Sequence, residues 1–263
     1  MRCWLQALWA LALTTSLSLL ASAQPSTGAD AQGRRSGFAD MAPATQAMQR
    51  DDRQNPAMLW LADGDALWSR KMGGADKSCA DCHGAISTLR GVATKFPRFD
   101  APSQKPVTLG ERINLCRQRH QQAPTRPAQD GQLIALETVV AFQSRGMSIR
   151  PDQDHRLQPF RQRGEALFAQ RFGQLDLSCA QCHEQQAGRL LGGTVIPQAH
   201  PTGYPLYRLE WQGMGTLQRR LRNCMSGVRA APFAYGSLEL VALELYLAQR
   251  AAGMPLEVPA VRP

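Results

Sequence analysis

Two pentapeptides of the form Cys-x-x-Cys-His, Cys79-Ala80-Asp81-Cys82-His83 and Cys179-Ala180-Gln181-Cys182-His183, lie one hundred residues apart in a chain of 263. Each is the attachment pattern of a c-type haem. The two thiols add across the porphyrin vinyl groups as thioethers, and the histidine one residue further on reaches the iron as proximal ligand. A zinc site competes for a single motif of this kind better than for two, and a bare thioredoxin-like pair gives the histidine no role. The chain is therefore expected to carry two covalently bound haem c groups.

The sequence around the motifs also repeats. Gly64-Asp65-Ala66-Leu67-Trp68 precedes the first motif at the distance that Gly164-Glu165-Ala166-Leu167-Phe168 precedes the second, each opening a short amphipathic helix. Downstream, Leu133 to Met147 matches Leu240 to Met254, each a helical run stopped by a glycine. Helix, attachment motif, loop-rich middle and terminal helix is the order of a small class I cytochrome c domain. The expected fold is mainly α: two tandem class I-like cytochrome c domains with long loops, over 55–147 and 163–263. Residues 148–162, rich in Pro, Asp, Gln and Arg, read as a linker. Residues 24–54, rich in Ala, Gly, Ser and Gln, read as a flexible N-terminal arm. Aromatic content is 6%, so the porphyrins are expected to supply much of each core.

The first residues indicate a compartment. An apolar stretch from Trp4 to Leu20 follows Arg2 and leads to Ala21-Ser22-Ala23, the pattern of a secretory signal peptide over 1–23. Gln6 and Thr14-Thr15 interrupt that stretch, which is short for a membrane span. The expectation is a periplasmic protein with no membrane span after cleavage, in a compartment where haem attachment and disulfide formation occur. A formal charge of +9 suits an anionic partner or substrate; without a dense basic block it does not indicate nucleic acid.

Each iron needs a sixth ligand or an open site. Between His83 and the terminal helix of the first unit there is no methionine, which removes His/Met coordination there and leaves Cys116 and His120. In the second unit His200, Met214, Cys224 and Met225 are all available. Aligning the halves lays Thr108-Leu109-x-x-Arg112-x-x-x-Cys116 over Thr216-Leu217-x-x-Arg220-x-x-x-Cys224, and only the cysteine is ligand-competent in both. A disulfide between Cys116 and Cys224 is the alternative, but it requires the two units to turn these faces toward each other. Arg112 and Arg220 stand four residues before their cysteines, on the same helical face. A cation there lowers a thiolate's pKa and can hold an anionic sulfur compound. For Arg112 a haem propionate or solvent is the favoured partner. Arg219, Arg220, Arg222 and Arg229 crowd Cys224, so the second unit is the expected site of chemistry.

These features, with Ser178-Cys-Ala-Gln-Cys-His-Glu-Gln185, Pro201-Thr-Gly-Tyr-Pro-Leu-Tyr-Arg-Leu209 and the Leu-Glu-Leu-Tyr-Leu helix, resemble the SoxA family, dihaem subunits of the SoxAX cytochromes of bacterial sulfur oxidation. The resemblance implies an L-cysteine S-thiosulfotransferase that conjugates thiosulfate oxidatively to a cysteine of a SoxYZ-like carrier protein and passes electrons to a SoxX-like monohaem cytochrome c in a heterodimer. It implies His/Cys axial ligation, His83 with Cys116 and His183 with Cys224. It further implies Cys224 as the catalytic cysteine, carried as a persulfide, and Arg220 as the thiosulfate-binding residue. A non-catalytic dihaem electron carrier and a dihaem peroxidase are the alternatives; the first would use Met or His distal ligands, the second an open or switchable distal site.

Overall fold

The structure is a computed structural model that describes residues 28–263; the expected signal peptide lies outside the described residues. Eight α-helices are present among them: α1 (Pro43–Arg50), α2 (Met58–Ser69), α3 (Ala80–His83), α4 (Leu109–Cys116), α5 (Gly131–Phe142), α6 (Gln158–Ala169), α7 (Leu217–Gly227) and α8 (Leu238–Arg250). Short strands connect them: β1 (Arg98–Asp100), β2 (Lys105–Val107), β3 (Arg171–Phe172), β4 (Leu177–Ser178), β5 (Leu190–Leu191), β6 (Thr194–Val195), β7 (Leu206–Arg208), β8 (Gly213–Gly215) and β9 (Ala260–Arg262). Antiparallel pairs join β1 to β2, β3 to β4 and β5 to β6, and β7 lies between antiparallel β8 and parallel β9.

The repeat is structural. In each unit an opening helix crosses a terminal helix, α2 on α5 and α6 on α8, and the crossing is at a glycine. A Cβ on Gly64 would overlap the Ala135 carbonyl, and one on Gly164 the Ala242 carbonyl. Hydrogen is the only substituent that lets these backbones approach so closely. Around the crossings, Leu67, Leu136, Val139 and Val140 are buried in the first unit, and Leu167, Phe168, Leu240 and Leu243 in the second. The terminal helices stop at Phe142 and Arg250, a few residues before Gly146 and Gly253, which turn with positive φ of 80° and 86°.

The segments after these two stops fasten the units together. Gly146 N–H donates to Leu256 O at 2.8 Å and Leu256 N–H to Met147 O at 2.9 Å; Ile149 N–H donates to Met254 O at 2.9 Å and Gly253 N–H to Ile149 O at 2.8 Å. Ile149, Met254, Leu256 and Val258 are buried with Trp68 and Val139. The start of the stretch read as a linker therefore belongs to a packed seam, because Ile149 carries apolar surface into it.

Residues 28–54, read as an arm from their composition, contain α1 and a strap over the second unit. The Arg34 guanidinium donates to Arg250 O and Ala252 O at 3.1 and 2.9 Å, Arg35 N–H to Gln198 Oε1 at 2.7 Å, and Ser36 Oγ to Glu257. Composition does not register such contacts, since each bond joins side chain or backbone to a partner more than 160 residues away.

Candidate haem and sulfur site

The attachment motifs sit on tightly capped turns. Ser78 and Asp81 exchange bonds, Ser78 N–H to Asp81 Oδ2 at 2.7 Å and Asp81 N–H to Ser78 Oγ at 3.0 Å. Ser178 and Gln181 do the same at 2.8 and 3.1 Å. The residue between the two cysteines thus caps the turn that presents them. His183 places Nδ1 2.7 Å from Pro197 O, a bond that makes Nδ1 the donor and leaves Nε2 as the metal-facing nitrogen. His83 has no such bond among the described residues; its ring lies 5.7 Å from that of Trp68, whose Nε1–H holds Gly84 O at 3.0 Å.

α4 and α7 carry the distal candidates. Thr108 begins α4 with a capping box to Glu111, and Thr216 caps α7 by accepting from Arg219 N–H. All six described cysteines are unpaired. Cys116 is within electrostatic reach of Cys79 and Cys82, and Cys224 of Cys179. Each α4 or α7 cysteine therefore faces its own unit's motif, and the geometry does not form the alternative disulfide. Burial pushes the Cys116 thiol up, against the opposing pull of Arg112 and Arg119; burial pushes Cys179 up to about 11. Apolar side chains line both sites: Leu61, Ile86, Leu89 and Ile113 about the first, Leu217, Leu221, Phe233 and Tyr246 about the second. Two thiols and an imidazole on one turn, a further cysteine within reach of those thiols and an apolar lining fit a haem in each unit.

The other ligand candidates are placed elsewhere. His120 is exposed. His200 Nδ1 is 2.8 Å from Arg35 O, beside His183 and Arg250 in an open cleft that the strap lines on one side. Met214 is packed with Tyr207 and Val261, and Met225 is buried.

The two arginines differ. Arg112 pairs with Asp100 at 2.8 Å, and Arg119 holds the same carboxylate at 2.9 Å; a protein carboxylate, not named in the sequence reading, is its partner. Arg220 is half-buried and has no ion pair or side-chain hydrogen bond among the described residues. Its neighbours are otherwise engaged. Arg219 stacks on Trp211 at 4.2 Å, and Arg222 stacks on Tyr235 at 4.4 Å and donates to Phe233 O.

Residues that the sequence reading passed over complete the picture. Tyr204 is half-buried, its phenol pushed up to about 12 by desolvation, within electrostatic reach of Arg220 and Cys224. A cavity of about 220 Å³ between the units is lined by Glu111, Glu137, Glu244, Gln218 and Tyr204. Glu137 and Glu244 occupy matching places on α5 and α8. Desolvation raises their carboxyls to about 7 and about 8, the surface left to them facing this cavity. The Leu-Glu pairs at 136–137 and 243–244 were the available signal.

Comparison with known proteins bears on the fold that carries these residues. The cytochrome c domain described as SoxA/TsdA matches residues 63–149 and 163–256. The L-cysteine S-thiosulfotransferase subunit SoxA of Rhodovulum sulfidophilum is 36% identical over 87% of this chain and 80% of its own length. That of Pseudaminobacter salicylatoxidans is 35% identical over 83% and 77%. The crystal structure of SoxXA from P. pantotrophus superposes with a TM-score of 0.84 at 32% identity, covering 88% of this chain and 87% of that one. This chain belongs to the SoxA/TsdA cytochrome c family.

Proposed function

We propose that this chain is the dihaem subunit of an L-cysteine S-thiosulfotransferase, exported to the periplasm and paired with a SoxX-type monohaem cytochrome, that joins thiosulfate to a cysteine of a SoxYZ-type carrier. In the net reaction the outer sulfur of thiosulfate bonds to the carrier cysteine sulfur, the thiol proton is released, and two electrons leave to the acceptor cytochrome. Cys79, Cys82 and His83 with Cys116 would hold one haem, and Cys179, Cys182 and His183 with Cys224 the other. A bound haem c supplies a one-electron acceptor whose potential a thiolate ligand keeps low.

The observation that carries the reading is the free Arg220 one helical turn from Cys224. An unpaired guanidinium offers planar, multiple donors to an oxyanion and holds it against the one cysteine sulfur of the second unit that is not used for attachment. Cys224, carried as a persulfide in this reading, is the sulfur against which thiosulfate is placed. Asp100 occupies the corresponding arginine in the first unit, which favours the second as the place of bond formation. A plain electron carrier has no use for this asymmetry.

The test is a conjugation assay with the haem-loaded protein, its cytochrome partner, reduced carrier and thiosulfate. The carrier should gain the mass of a thiosulfate adduct while the acceptor is reduced. Cys224→Ala should abolish both with two haems still attached, since attachment uses Cys179 and Cys182. Turnover close to wild type in that variant would sink the reading.

A further inference from the structure

The two units share one backbone frame, so each position in one is a control for its counterpart. Counting eight residues back from the N-caps Thr108 and Thr216 reaches Asp100 and Arg208. The structural register agrees. Asp100 ends β1 opposite Lys105, Arg208 ends β7 opposite Gly213, and both partner strands run straight into the N-cap. From this place Asp100, 1% exposed, reaches Arg112 at 2.8 Å and Arg119 at 2.9 Å. The second unit has a guanidinium where the first has the carboxylate.

No other residue restores the lost counter-ion. Among the described residues Arg220 has no carboxylate within ion-pair distance. The acid nearest in charge is Glu210, which pairs with Arg208 at 2.7 Å and feels Arg219 and Arg220 at longer range. It is 61% exposed against 14% for Arg208, and an exposed pair of this kind yields readily to a stronger anion. Arg208 and Arg220 are both within electrostatic reach of the Tyr204 phenol, which finds no hydrogen-bond partner among the described residues and stands where the first unit has Phe96.

We propose that Arg208 is a specificity-determining residue of the second site: standing where Asp100 neutralises the first, it leaves Arg220 without an internal counter-ion and supplies a second guanidinium, so that the site selects a dianion with a sulfonate end. This rests on the thiosulfate reading above. A single guanidinium is matched by a monoanion. Two guanidiniums with one displaceable, exposed carboxylate favour a substrate carrying two charges, because each fixed charge left unpaired in a half-buried site is costly. In the first unit the carboxylate that Arg112 and Arg119 share is buried, so an incoming anion does not displace it as it can displace the exposed Glu210.

The experiment uses the haem-loaded protein with its cytochrome partner and carrier. KM and kcat are measured for thiosulfate and for benzenethiosulfonate, a monoanion with the same reacting sulfur, in wild type, Arg208→Met and Arg208→Lys. Arg208→Met should raise KM for thiosulfate about tenfold or more, with the loss falling on KM rather than kcat, and should shrink the preference for the dianion by a similar factor. Arg208→Lys should recover part of both. The EPR spectrum and potential of the second haem should stay as in wild type. Unchanged KM and preference in a folded Arg208→Met with two haems would overturn the inference, as would a shifted second-haem potential with unchanged KM, which would make Arg208 a propionate partner. If wild type itself conjugates no thiosulfate, the functional reading has failed instead, and that outcome is seen before any variant is compared.

Discussion

Arg112 Nη1 lies 2.8 Å from Asp100 Oδ1 in an ion pair whose carboxylate is 1% exposed, while Arg220, at the same place in the repeat, is bound to nothing among the described residues. The first unit spends its distal charge on its own structure. The second keeps it for a ligand.

Asp100→Ala should therefore act on stability and not on chemistry. It removes the partner of Arg112 and Arg119 together with the bonds from Ser103 N–H and Oγ. The guanidiniums keep about a third of their side-chain surface in water, so the cost is about 1–3 kcal/mol. Urea unfolding of the haem-loaded protein measures it; thiosulfate KM should be that of wild type.

Arg220→Lys retains the charge but loses the planar fork that suits an oxyanion. Apparent affinity for thiosulfate should fall about tenfold while both haem spectra persist. An unchanged KM would make Arg220 a partner of the haem itself.

Cys116→Met should raise the potential of the first haem and change its absorption, because a thioether replaces a thiolate, yet leave most conjugation activity. Cys224→Ala assayed beside it gives the contrast. If the two variants are equally inactive with haem content and fold intact, bond formation does not belong to the second unit alone.

Glu244 and Glu137 give the protein a pH-dependent stability. Glu111 raises Glu137 further, and Glu137 and Glu111 together raise Glu244 against the opposing effect of the nearby Gln218 amide. Their folded-state pKa values, about 8 and about 7, are raised, so the folded state holds protons that the unfolded state has released above about pH 4.5. Their contribution to stability is full below that pH and is lost as pH rises, up to about 7 for Glu137 and about 8 for Glu244, by at most about 1.4 kcal/mol per pH unit for each group. Glu244→Gln should flatten the slope of unfolding free energy between pH 5 and 8. An identical slope in wild type and variant would place the Glu244 carboxylate in effective contact with bulk water.

The opening and terminal helices, α2 with α5 and α6 with α8, were legible in the sequence because they depend on local periodicity that repeats; that each pair crosses at Gly64 or Gly164 is a steric fact of the fold. The attachment turns were legible for the same cause, since Cys79, Cys82 and His83 act within one turn of chain. The shared Arg-x-x-x-Cys frame located Cys116 and Cys224 on equivalent helical faces. It could not tell which arginine is free.

That difference was decided in three dimensions. Arg112 is neutralised from a strand twelve residues upstream, and reading the same frame back to Arg208 would have shown the exchange of charge, but only strand register establishes that the two positions face the helix alike. The seam between the units, the strap of Arg34 and Arg35 and the cavity that raises Glu137 and Glu244 lie beyond any local pattern. Local spacing determines which covalent and helical chemistry a segment can present, whereas the charge state of a site is a sum over neighbours brought from anywhere in the chain, and folding alone sets that sum.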